Sequence, residues 1–379
     1  MNDNLVVALL ALRARGLPLN IYMELLSTTE RPKELLSSAG MSSHPKLSNF
    51  ALMLQNSCEI EKAREDLSRW SNTGVRFAAL GTSEYPQILA TIYDPPPIIF
   101  YRSETKLPFE HLCIAIVGSR KTDNEGTHLC KDIAKELSSL QITVVSGLAY
   151  GIDAAAHWGA LSGKGSLPTI AVLGSGLYNL YPAANAPLAD EIIKNGGIIL
   201  SEFEPDASPF PANFLRRNRV ISGLSLGTVV IRAAKRSGSL ATARFAMEQG
   251  REVMAVPGSP INPISRGTNE LIRQGAALIN CARDILEQVE ILRQDESAAK
   301  DDINAKKLVN EIKNLSEDEK IIIKKLQAKG SLYMKELLPE LENFARINTA
   351  LTMLEQQKFI SIAPGNQVFL SRSYNFSPG

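Results

Sequence analysis

The run Leu112-Cys-Ile-Ala-Ile-Val-Gly-Ser-Arg120 decides the fold of this chain. It is apolar up to Val117 and then turns at a glycine, which is typical of a strand covered on both faces of a sheet. Six similar runs follow, most of them separated by helical segments: Ile142–Val145, Thr169–Leu173, Ile198–Leu200, Thr228–Ile231, Val253–Val256 and Ala276–Ile279. This alternation predicts βαβ units and therefore an α/β fold with a parallel sheet.

Small residues follow the ends of these predicted strands. They lie at Gly118-Ser-Arg120, Ser146-Gly147, Gly174-Ser-Gly176, Ser201-Glu202 and Pro257-Gly-Ser259. In an open α/β sheet, ligands bind outside the carboxyl ends of the strands. The sequence therefore predicts a groove lined by backbone along that edge.

The chain of 379 residues divides into regions with different patterns. Residues 1–105 are predicted to be a helical domain, and residues 108–292 contain the strands of the predicted sheet. The helical prediction rests on apolar residues that recur at helical spacing in three segments, Leu5–Leu12, Ile21–Leu26 and Phe50–Leu54.

The end of the chain has its own pattern. Residues 293–313 are predicted to be a linker because they are largely polar. Residues 314–372 combine a capping-box sequence at Ser316-Glu-Asp-Glu319 with two β-like runs between Phe359 and Leu370. Helices followed by a hairpin predict a winged-helix domain. Such a domain would bind duplex DNA or contact another protein, and the sequence leaves both alternatives open.

Positive charge is concentrated between Ala207 and Arg251. This segment has eight basic residues and one acidic residue, a local charge of 8 − 1 = +7 in a chain whose net charge is +1. The basic residues are Arg216, Arg217, Arg219, Arg232, Lys235, Arg236, Arg244 and Arg251. Such a concentration creates a local field that a polyanion would sense.

Metal, redox and membrane classes are not indicated. The four cysteines and four histidines do not have the spacing of metal ligands or of paired redox thiols, so we expect reduced thiols and no metal or cofactor. These residues are Cys58, Cys113, Cys130, Cys281, His44, His111, His128 and His157. The apolar run Leu5–Leu12 is too short to span a bilayer and lacks a preceding basic segment. We therefore expect no membrane partner and a cytoplasmic location.

The segment Phe214-Leu-Arg-Arg-Asn-Arg219 is a candidate nucleic-acid site. On a helix, Arg216 and Arg219 share one face, and the ring of Phe214 could stack on a base. The alternative is a solvated basic face with Phe214 in the core, because most charged runs are solvated faces.

The segment Ser237-Gly-Ser-Leu-Ala-Thr242 is predicted to open a helix. Small residues at a helix N-terminus expose N–H groups that bind anions, and Lys235 and Arg236 come directly before it. The alternative is an ordinary serine N-cap.

Three sequence patterns are similar to catalytic motifs, but each lacks a feature that its motif requires. Gly159–Gly165 resembles a Walker A loop but has three residues where four are needed and lacks the final Ser or Thr. Gly223–Gly227 matches the nucleophile-elbow pattern, but a helix precedes it and a strand follows, so Ser225 is predicted to be structural. Asp153 and His157 share a helix face without a nucleophile and are predicted to orient or cap.

Together these strings resemble one family, the DNA-processing proteins DprA/Smf. They occur in family order over about residues 112–280: Val117–Arg120, Ser146–Asp153, Ala156–Leu161, Thr169–Gly174, Tyr181–Asn185, Ser201–Glu202, Phe214–Ser225, Arg236–Arg244, Gly250–Ser259 and Gly267–Ala276. Ordered agreement over many motifs is far more specific than any single motif. The helical first region and the winged-helix-like end are similar to the family's accessory domains, the first of them SAM-like.

The resemblance implies an extended Rossmann-like core that binds single-stranded DNA and forms a homodimer. Family members protect incoming strands during natural transformation and help to load the RecA recombinase, and they are not known for a catalytic reaction. By this resemblance the DNA-binding residues are Gly118, Ser119, Arg120, Gly147, Phe214, Arg216, Arg217, Asn218, Arg219, Lys235, Arg236, Ser237, Gly238 and Ser239.

Two positions depart from the family pattern. Family members often have an acidic residue where Arg232 stands and an Asp where Tyr178 stands. Arg232 is expected to strengthen the positive field. Tyr178 removes a carboxylate that could cap or hydrogen-bond in its loop.

A nucleotide phosphoribohydrolase is the alternative function, because such enzymes resemble this chain in their sheet and Gly-rich helix start. They carry a Pro-Gly-Gly-x-Gly-Thr turn followed by a nearby glutamate. Here the turn is Ser237–Thr242 and the next acid is Glu248, so a carboxylate within reach of the turn is not evident.

Overall fold

The computed structural model describes a chain that falls into two compact units, Met1–Val289 and Glu290–Gly379. The structure describes residues 3–14, 22, 45–104, 112–289, 316–329, 331–333, 337, 343–356, 360–363 and 367–370. The predicted linker at 293–313 and most of the predicted helical segment Ile21–Leu26 lie outside these residues.

A nine-stranded sheet forms the centre of the first unit. Its strands are β1 Arg76–Ala79, β2 Ile98–Arg102, β3 Cys113–Val117, β4 Thr143–Ser146, β5 Thr169–Leu173, β6 Ile198–Ser201, β7 Gly227–Val230, β8 Glu252–Ala255 and β9 Ala277–Leu278. Strands β3 to β9 correspond to the seven apolar runs predicted from the sequence, and they pair with one another in parallel. The predicted α/β class with a Rossmann-like parallel core is confirmed.

The spatial order of the strands is β1-β2-β6-β5-β4-β3-β7-β8-β9. From β3 the chain builds outward through β4, β5 and β6, and then returns to the other side of β3 to form β7. Strands β3 and β7 therefore flank a topological switch point. In open α/β sheets the crevice at such a point is where ligands bind.

The helices of the first unit cover the sheet. They are α1 Asp3–Arg13, α2 Pro45–Gln55, α3 Ser57–Asn72, α4 Gln87–Ala90, α5 Asn124–Ser139, α6 Ile152–Gly163, α7 Ala186–Lys194, α8 Pro211–Gly223, α9 Gly238–Glu248, α10 Arg266–Arg273 and α11 Ala282–Gln288, with 3-10 turns at Ala183–Asn185 and Pro263–Ser265. Buried residues of α1 belong to the same apolar core as those of the sheet.

The prediction that residues 1–105 are helical throughout is wrong for β1 and β2. Strand β2 pairs antiparallel with β6, with Phe100 opposite Ser201, and β1 pairs antiparallel with β2. The ring of Trp70 in α3 meets Phe100 edge-on at 5.5 Å, which packs that helix on the sheet. These two short runs lie outside the alternation of strands and helices that identified β3 to β9, and they join the sheet by pairing, β2 with β6 and β1 with β2. The domain boundaries at residues 105 and 108 stay predictions.

Tyr178, one of the two departures from the family pattern, joins these early elements to the loop after β5. Its hydroxyl hydrogen-bonds with Thr73 Oγ1, and the guanidinium of Arg102 lies 5.2 Å from its ring centroid. The aromatic side chain therefore takes hydrogen-bond and cation–π partners where a carboxylate was expected.

The Walker-like glycines lie inside a helix pair. A Cβ on Gly159 would collide with the carbonyl oxygen of Lys131, and one on Gly163 with that of Lys135. These glycines let α6 approach α5 closely and form no phosphate loop.

The second unit consists of α12 Glu317–Lys329, α13 Phe344–Gln356 and a three-stranded antiparallel sheet, β10 Ser331–Tyr333, β11 Ile360–Ala363 and β12 Gln367–Leu370. The predicted capping box is present, because Ser316 N donates to Glu319 Oε2 at 2.7 Å and Glu319 N donates to Ser316 Oγ at 3.3 Å. The paired strands β11 and β12 agree with the predicted hairpin. The winged-helix domain itself stays a prediction.

Within the described part of the chain, every helix is too short or too polar to cross a membrane. In the same residues, His, Cys, Asp and Glu side chains form no group of three or more that could hold a metal ion.

Candidate functional site

A cavity of about 420 Å³ opens at the switch point, and we call it the switch-point cavity. Its walls are the end of β3, the start of α6, one face of α8 and the first turn of α9. The lining residues are Val117, Gly118, Arg120, Ala149, Asp153, Pro211, Phe214, Leu215, Arg217, Asn218, Ile221, Ser237, Gly238, Ser239 and Thr242. Its volume is typical of small-molecule sites.

Phe214 forms an aromatic wall of this cavity. The ring lies against the backbone after β5, so closely that a Cβ on Gly174 would be 2.5 Å from its Cδ1. Tyr181 approaches the other side at a centroid distance of 5.4 Å and a tilt of 55°. The side chain of Phe214 is half-buried, so one part packs on the protein and another part faces the cavity.

Arg120 is exposed at the mouth of the cavity, and its guanidinium lies 5.8 Å from the Phe214 ring centroid. The turn that carries it is fixed by backbone bonds, because Ser119 N donates to Arg232 O at 2.7 Å and Ile152 N donates to Ser119 O at 3.2 Å. Ser119 Oγ donates to Lys121 O at 2.6 Å, so the predicted ligand Ser119 stabilises this turn and does not line the cavity.

Arg217 lines the cavity but is bound to the protein. It is 4 % exposed, and its Nη1 donates to Gly147 O at 2.8 Å and also to Val172 O. Burial lowers the pKa of Arg217 to about 10, and the charge of Asp153 acts against that shift. Gly147 leaves room for this side chain, since an added Cβ would lie 2.7 Å from Arg217 Nη2. The guanidinium thus ties α8 to the ends of β4 and β5.

Asp153 and His157 support the loop that follows β4. Leu148 N donates to His157 Nε2 at 3.3 Å, so the proton is on Nδ1, which donates to Thr169 Oγ1 at 2.7 Å. Burial lowers the pKa of His157 to about 3, so the ring is neutral. Burial raises the pKa of Asp153, while the charge of Arg217 and two backbone N–H groups of the loop oppose that shift. Both residues orient their surroundings, as the sequence predicted.

The first turn of α9 closes the cavity. Ser237 is the N-cap, with its Oγ accepting from Ser239 N at 3.4 Å and lying 2.7 Å from Ser239 Oγ. Asn218 Nδ2 donates to Gly238 O at 3.3 Å, which joins α8 to this turn. Ser237 is therefore an ordinary serine N-cap of α9. An N-cap of this kind leaves the helix N-terminus available to an anion as well.

Arg216 and Arg219 point away from the switch-point cavity. Arg219 Nη2 lies 2.6 Å from Glu202 Oε2, and Arg216 Nε lies 3.1 Å from the same oxygen. Arg219 also lies 3.4 Å from Asp94 Oδ2 and is only 7 % exposed. The predicted i, i+3 pair does share a helix face, but that face meets a buried carboxylate.

The expectation that Arg232 strengthens the positive field is wrong. Its side chain is buried and lies 3.3 Å from Asp123 and 3.2 Å from Glu125. The buried guanidinium is therefore paired with two carboxylates, of which Glu125 is exposed and Asp123 is partly exposed.

Of the remaining basic residues of the charged segment, Lys235, Arg236 and Arg244 are exposed and Arg251 is half-buried. Lys235 and Arg236 are exposed just before the first turn of α9, although neither lines the cavity. Arg244 lies 3.9 Å from Glu248, and Arg251 donates to a carbonyl of α4 at 2.9 Å. The local charge of the folded protein is thus much smaller than the sequence sum.

Several residues at the switch-point cavity were not predicted from the sequence. Pro211, Leu215 and Ile221 share a helix face with Phe214, and this 3.6-residue spacing could have identified them. Ala149 and Tyr181 reach the site on separate loops, for which the sequence holds no comparable signal.

Carboxylate chemistry has little support at this site. Among the described lining residues Asp153 is the one acid, and it is 7 % exposed and bonded to backbone. Glu248, the acid considered for a phosphoribohydrolase, lies exposed at the far end of α9. Ser225 of the elbow-like pattern is buried and donates to Ile221 O at 3.0 Å, so it is structural.

A doubly wound sheet with an aromatic and cationic cavity at its switch point defines an α/β protein with a Rossmann-like core. The chain belongs to the DprA/Smf family, since the family model described as DNA recombination-mediator protein A matches residues 76–290.

Curated relatives and solved structures agree with this assignment. DNA processing protein DprA of Bacillus subtilis is 40% identical over 223 residues, which are 59% of this chain and 74% of that protein. Protein Smf of Escherichia coli is 45% identical over 205 residues, 54% of each chain, so the match spans about half of that relative. The crystal structure of DNA processing protein A (DprA) from Streptococcus pneumoniae matches with a TM-score of 0.62 and 32% identity, and the match covers 75% of this chain and 98% of that one. A structure of DNA processing protein A from Helicobacter pylori, described for its single-stranded DNA binding mode, matches with a TM-score of 0.50 and 30% identity. This match covers 56% of this chain and 94% of that one.

Proposed function

We propose that this protein binds single-stranded DNA at the switch-point cavity and acts as a recombination mediator without a chemical step. The observation that carries the proposal is the half-buried ring of Phe214 with the exposed Arg120 guanidinium 5.8 Å away, at the ligand-binding edge of the sheet. An aromatic face beside a cation is the usual platform for an unpaired base. Membership of the DprA/Smf family and the single-stranded DNA binding mode of the Helicobacter pylori relative support the same proposal.

The bound strand would use two parts of the site. A base would stack on Phe214, while a phosphate would meet the first turn of α9 at Ser237–Ser239. Lys235 and Arg236 would add attraction without direct contact in the cavity. Both elements face one cavity, so a single nucleotide could engage them together.

The size of the cavity favours an unpaired base. About 420 Å³ admits one base that has left the stack, and a base held in a duplex would have to be flipped out first. The protein should therefore prefer single strands to duplex of the same sequence.

We extend the proposal to partners on the basis of family membership. A homodimer in the cytoplasm would protect incoming strands during natural transformation and load the RecA recombinase on them. The second unit would bind duplex DNA or contact another protein.

The test is a titration of the full chain with a labelled oligonucleotide, single-stranded or duplex, at two salt concentrations. Phe214→Ala should weaken binding to single strands by about tenfold through lost stacking, with an unchanged salt dependence. Arg120→Ala should weaken binding and make the slope of log K against log salt shallower by about 0.7. Unchanged affinity in both variants would refute the site.

A further inference from the structure

Arg232 lies between two parts of the switch-point cavity, the loop after β3 and the first turn of α9. It follows strand β7, and five residues further on Ser237 begins the first turn of α9. The loop after β3, which carries Arg120, lies beside it because β3 and β7 are neighbours in the sheet. Arg232 is 2 % exposed, so its guanidinium is too buried to touch a bound strand. Any effect of this side chain on binding must act through the residues around it.

The loop after β3 is attached to Arg232 at two points. Near the start of the loop, Ser119 N donates to the carbonyl oxygen of Arg232 at 2.7 Å. At the end of the loop, Arg232 Nε donates to Asp123 Oδ1 at 3.3 Å. Arg120 lies between these two points. The backbone of Arg232 therefore holds one end of the loop and its side chain holds the other.

Asp123 connects the end of this loop to a helix. It is the N-cap of α5, and its Oδ1 accepts from Gly126 N at 2.7 Å. Its Oδ2 accepts from Asn262 Nδ2 at 3.1 Å. Desolvation would raise the pKa of Asp123, but the N–H of Gly126 and the charge of Arg232 outweigh it and lower the pKa. The carboxylate is therefore charged near neutral pH and fixed in position.

The surroundings of the Arg232 guanidinium leave it little freedom. An added Cβ on Gly126 would lie 2.8 Å from Arg232 Cγ, so the start of α5 packs directly on the side chain. Besides the bond from Nε, Nη1 donates to Ile231 O at 3.2 Å, and Nη2 lies 3.2 Å from Glu125 Oε2. All three guanidinium nitrogens have partners, and a planar group held at three points is stiff.

The positive charge at this position matches the acidic start of α5. Arg232 is one of the two positions at which the chain departs from the family pattern. An acidic side chain there would lie beside Asp123 and Glu125 and would be repelled by both. The attachment of the loop to residue 232 therefore depends on the arginine of this chain.

We propose that Arg232 is a positioning residue, which holds the loop after β3 so that Arg120 is ready to meet a single strand. The proposal rests on the proposed function, in which Arg120 acts on the bound strand. Long side chains and loops lose conformational freedom when they bind, and this loss weakens affinity. A loop attached at both ends to one buried residue has lost part of that freedom beforehand. The Arg120 guanidinium then lies 5.8 Å from the Phe214 ring centroid in the free protein.

The first experiment follows the loop in the free, full chain by hydrogen exchange. Arg232→Met removes the guanidinium and keeps an unbranched side chain that fills the buried space. Residues 118–123 should exchange about tenfold faster, because a charge-assisted hydrogen bond at the end of the loop is lost. Residues 176–181, in the loop after β5, should keep their rates. Equal acceleration of both loops would contradict the proposal, since the whole protein would then be loosened.

Asp123→Ser breaks the same link from the other side. Serine caps helices about as well as aspartate, so α5 keeps its N-cap, but the short uncharged side chain loses the ion pair with Arg232. This variant should also accelerate exchange of residues 118–123. Arg251→Met is the matched control, because this arginine belongs to the same charged segment but donates to Ile88 O. It should leave the exchange of residues 118–123 unchanged.

The second experiment titrates the variants with a labelled single strand at two salt concentrations. Arg232→Met should weaken binding about fivefold, the cost of ordering one long side chain on binding. The slope of log K against log salt should stay the same, because Arg120 keeps its charge. In the Arg120→Ala background the change should have no further effect, since both residues act through one contact. Arg232→Lys, which can still pair with Asp123, should recover part of the affinity.

The outcomes separate positioning from the other roles of a buried arginine. A loss of affinity that persists in the Arg120→Ala background would show that Arg232 acts through stability, and a shallower salt slope would show that it acts through its own charge. Either result overturns the proposal, as does unchanged exchange of residues 118–123. If the wild-type chain binds no single strand, the proposed function fails, and hydrogen exchange in the free protein still decides whether Arg232 holds the loop.

Discussion

The two faces of helix α8 carry arginines with different surroundings. On the switch-point face, Arg217 donates to backbone carbonyls beside the neutral His157. On the other face, Arg219 and Arg216 share the buried carboxylate of Glu202. The comparison teaches that neighbouring cations in one sequence run can be structural, because burial and partners decide whether a charge acts outward.

The largest expected effect comes from removing the ion pair of the Glu202 face. Arg219→Ala leaves the fully buried carboxylate of Glu202 with only the half-exposed Arg216 as a partner and should lower the free energy of unfolding by about 3 kcal/mol. Urea denaturation measures this change. The matched control is Arg216→Ala, where the half-exposed guanidinium should cost no more than about 1 kcal/mol. Equal losses in both variants would remove the distinction between them.

The switch-point face should instead be sensitive to acid through His157. The pKa of this residue is about 3 in the folded protein and near 6.5 when unfolded, so below pH 6.5 the unfolded state takes up the proton first. The free energy of unfolding should fall by about 1.4 kcal/mol per pH unit below 6.5 and show no contribution from His157 above it.

His157→Phe should lose this slope, whereas replacement of the exposed His128 by Gln should keep it. The measurement is a set of urea titrations between pH 5 and pH 8, about 1.5 units on either side of the unfolded pKa. A slope that persists in His157→Phe would show that another group carries it.

Gly174→Ala tests how tightly the aromatic wall is held. The added Cβ would lie 2.5 Å from Phe214 Cδ1 and should displace the ring, which weakens binding of single strands by about tenfold. The double variant Gly174→Ala/Phe214→Leu serves as the control, because two changes that act through one ring are not additive. Additive losses would place the effect elsewhere.

The smallest effect is expected at the exposed cations. Arg236→Ala should lower affinity only slightly and make the salt slope shallower by about 0.7. Arg244→Ala is the control, since this residue is paired with Glu248 on the same helix and lies outside the cavity. Identical salt slopes in the two variants would argue against a phosphate near the first turn of α9.

Much of the fold was predictable from the sequence because its signals are local. The run ending at Val117 and its successors are apolar over four or more residues, and Ser316 caps its helix through neighbours in the chain. Strands β1 and β2 were missed because β2 joins the sheet through β6, about a hundred residues away, and β1 joins it through β2.

The site was predicted in part for the same reason. Gly118, Arg120 and Phe214 were identified from strand ends and a helix pattern, and all three line one cavity. Arg219 was misplaced because its partners, Glu202 and Asp94, are distant in sequence.

The sequence by itself determined the parallel strands β3 to β9, where glycine turns follow them and which family the motifs resemble. Only the tertiary structure decided which side of α8 faces the switch point and which charges remain exposed. The physical reason is range. Periodicity and capping act within one or two helical turns, whereas the burial of Arg217, Arg219 and Arg232 requires carbonyls and carboxylates that come together only when the chain folds.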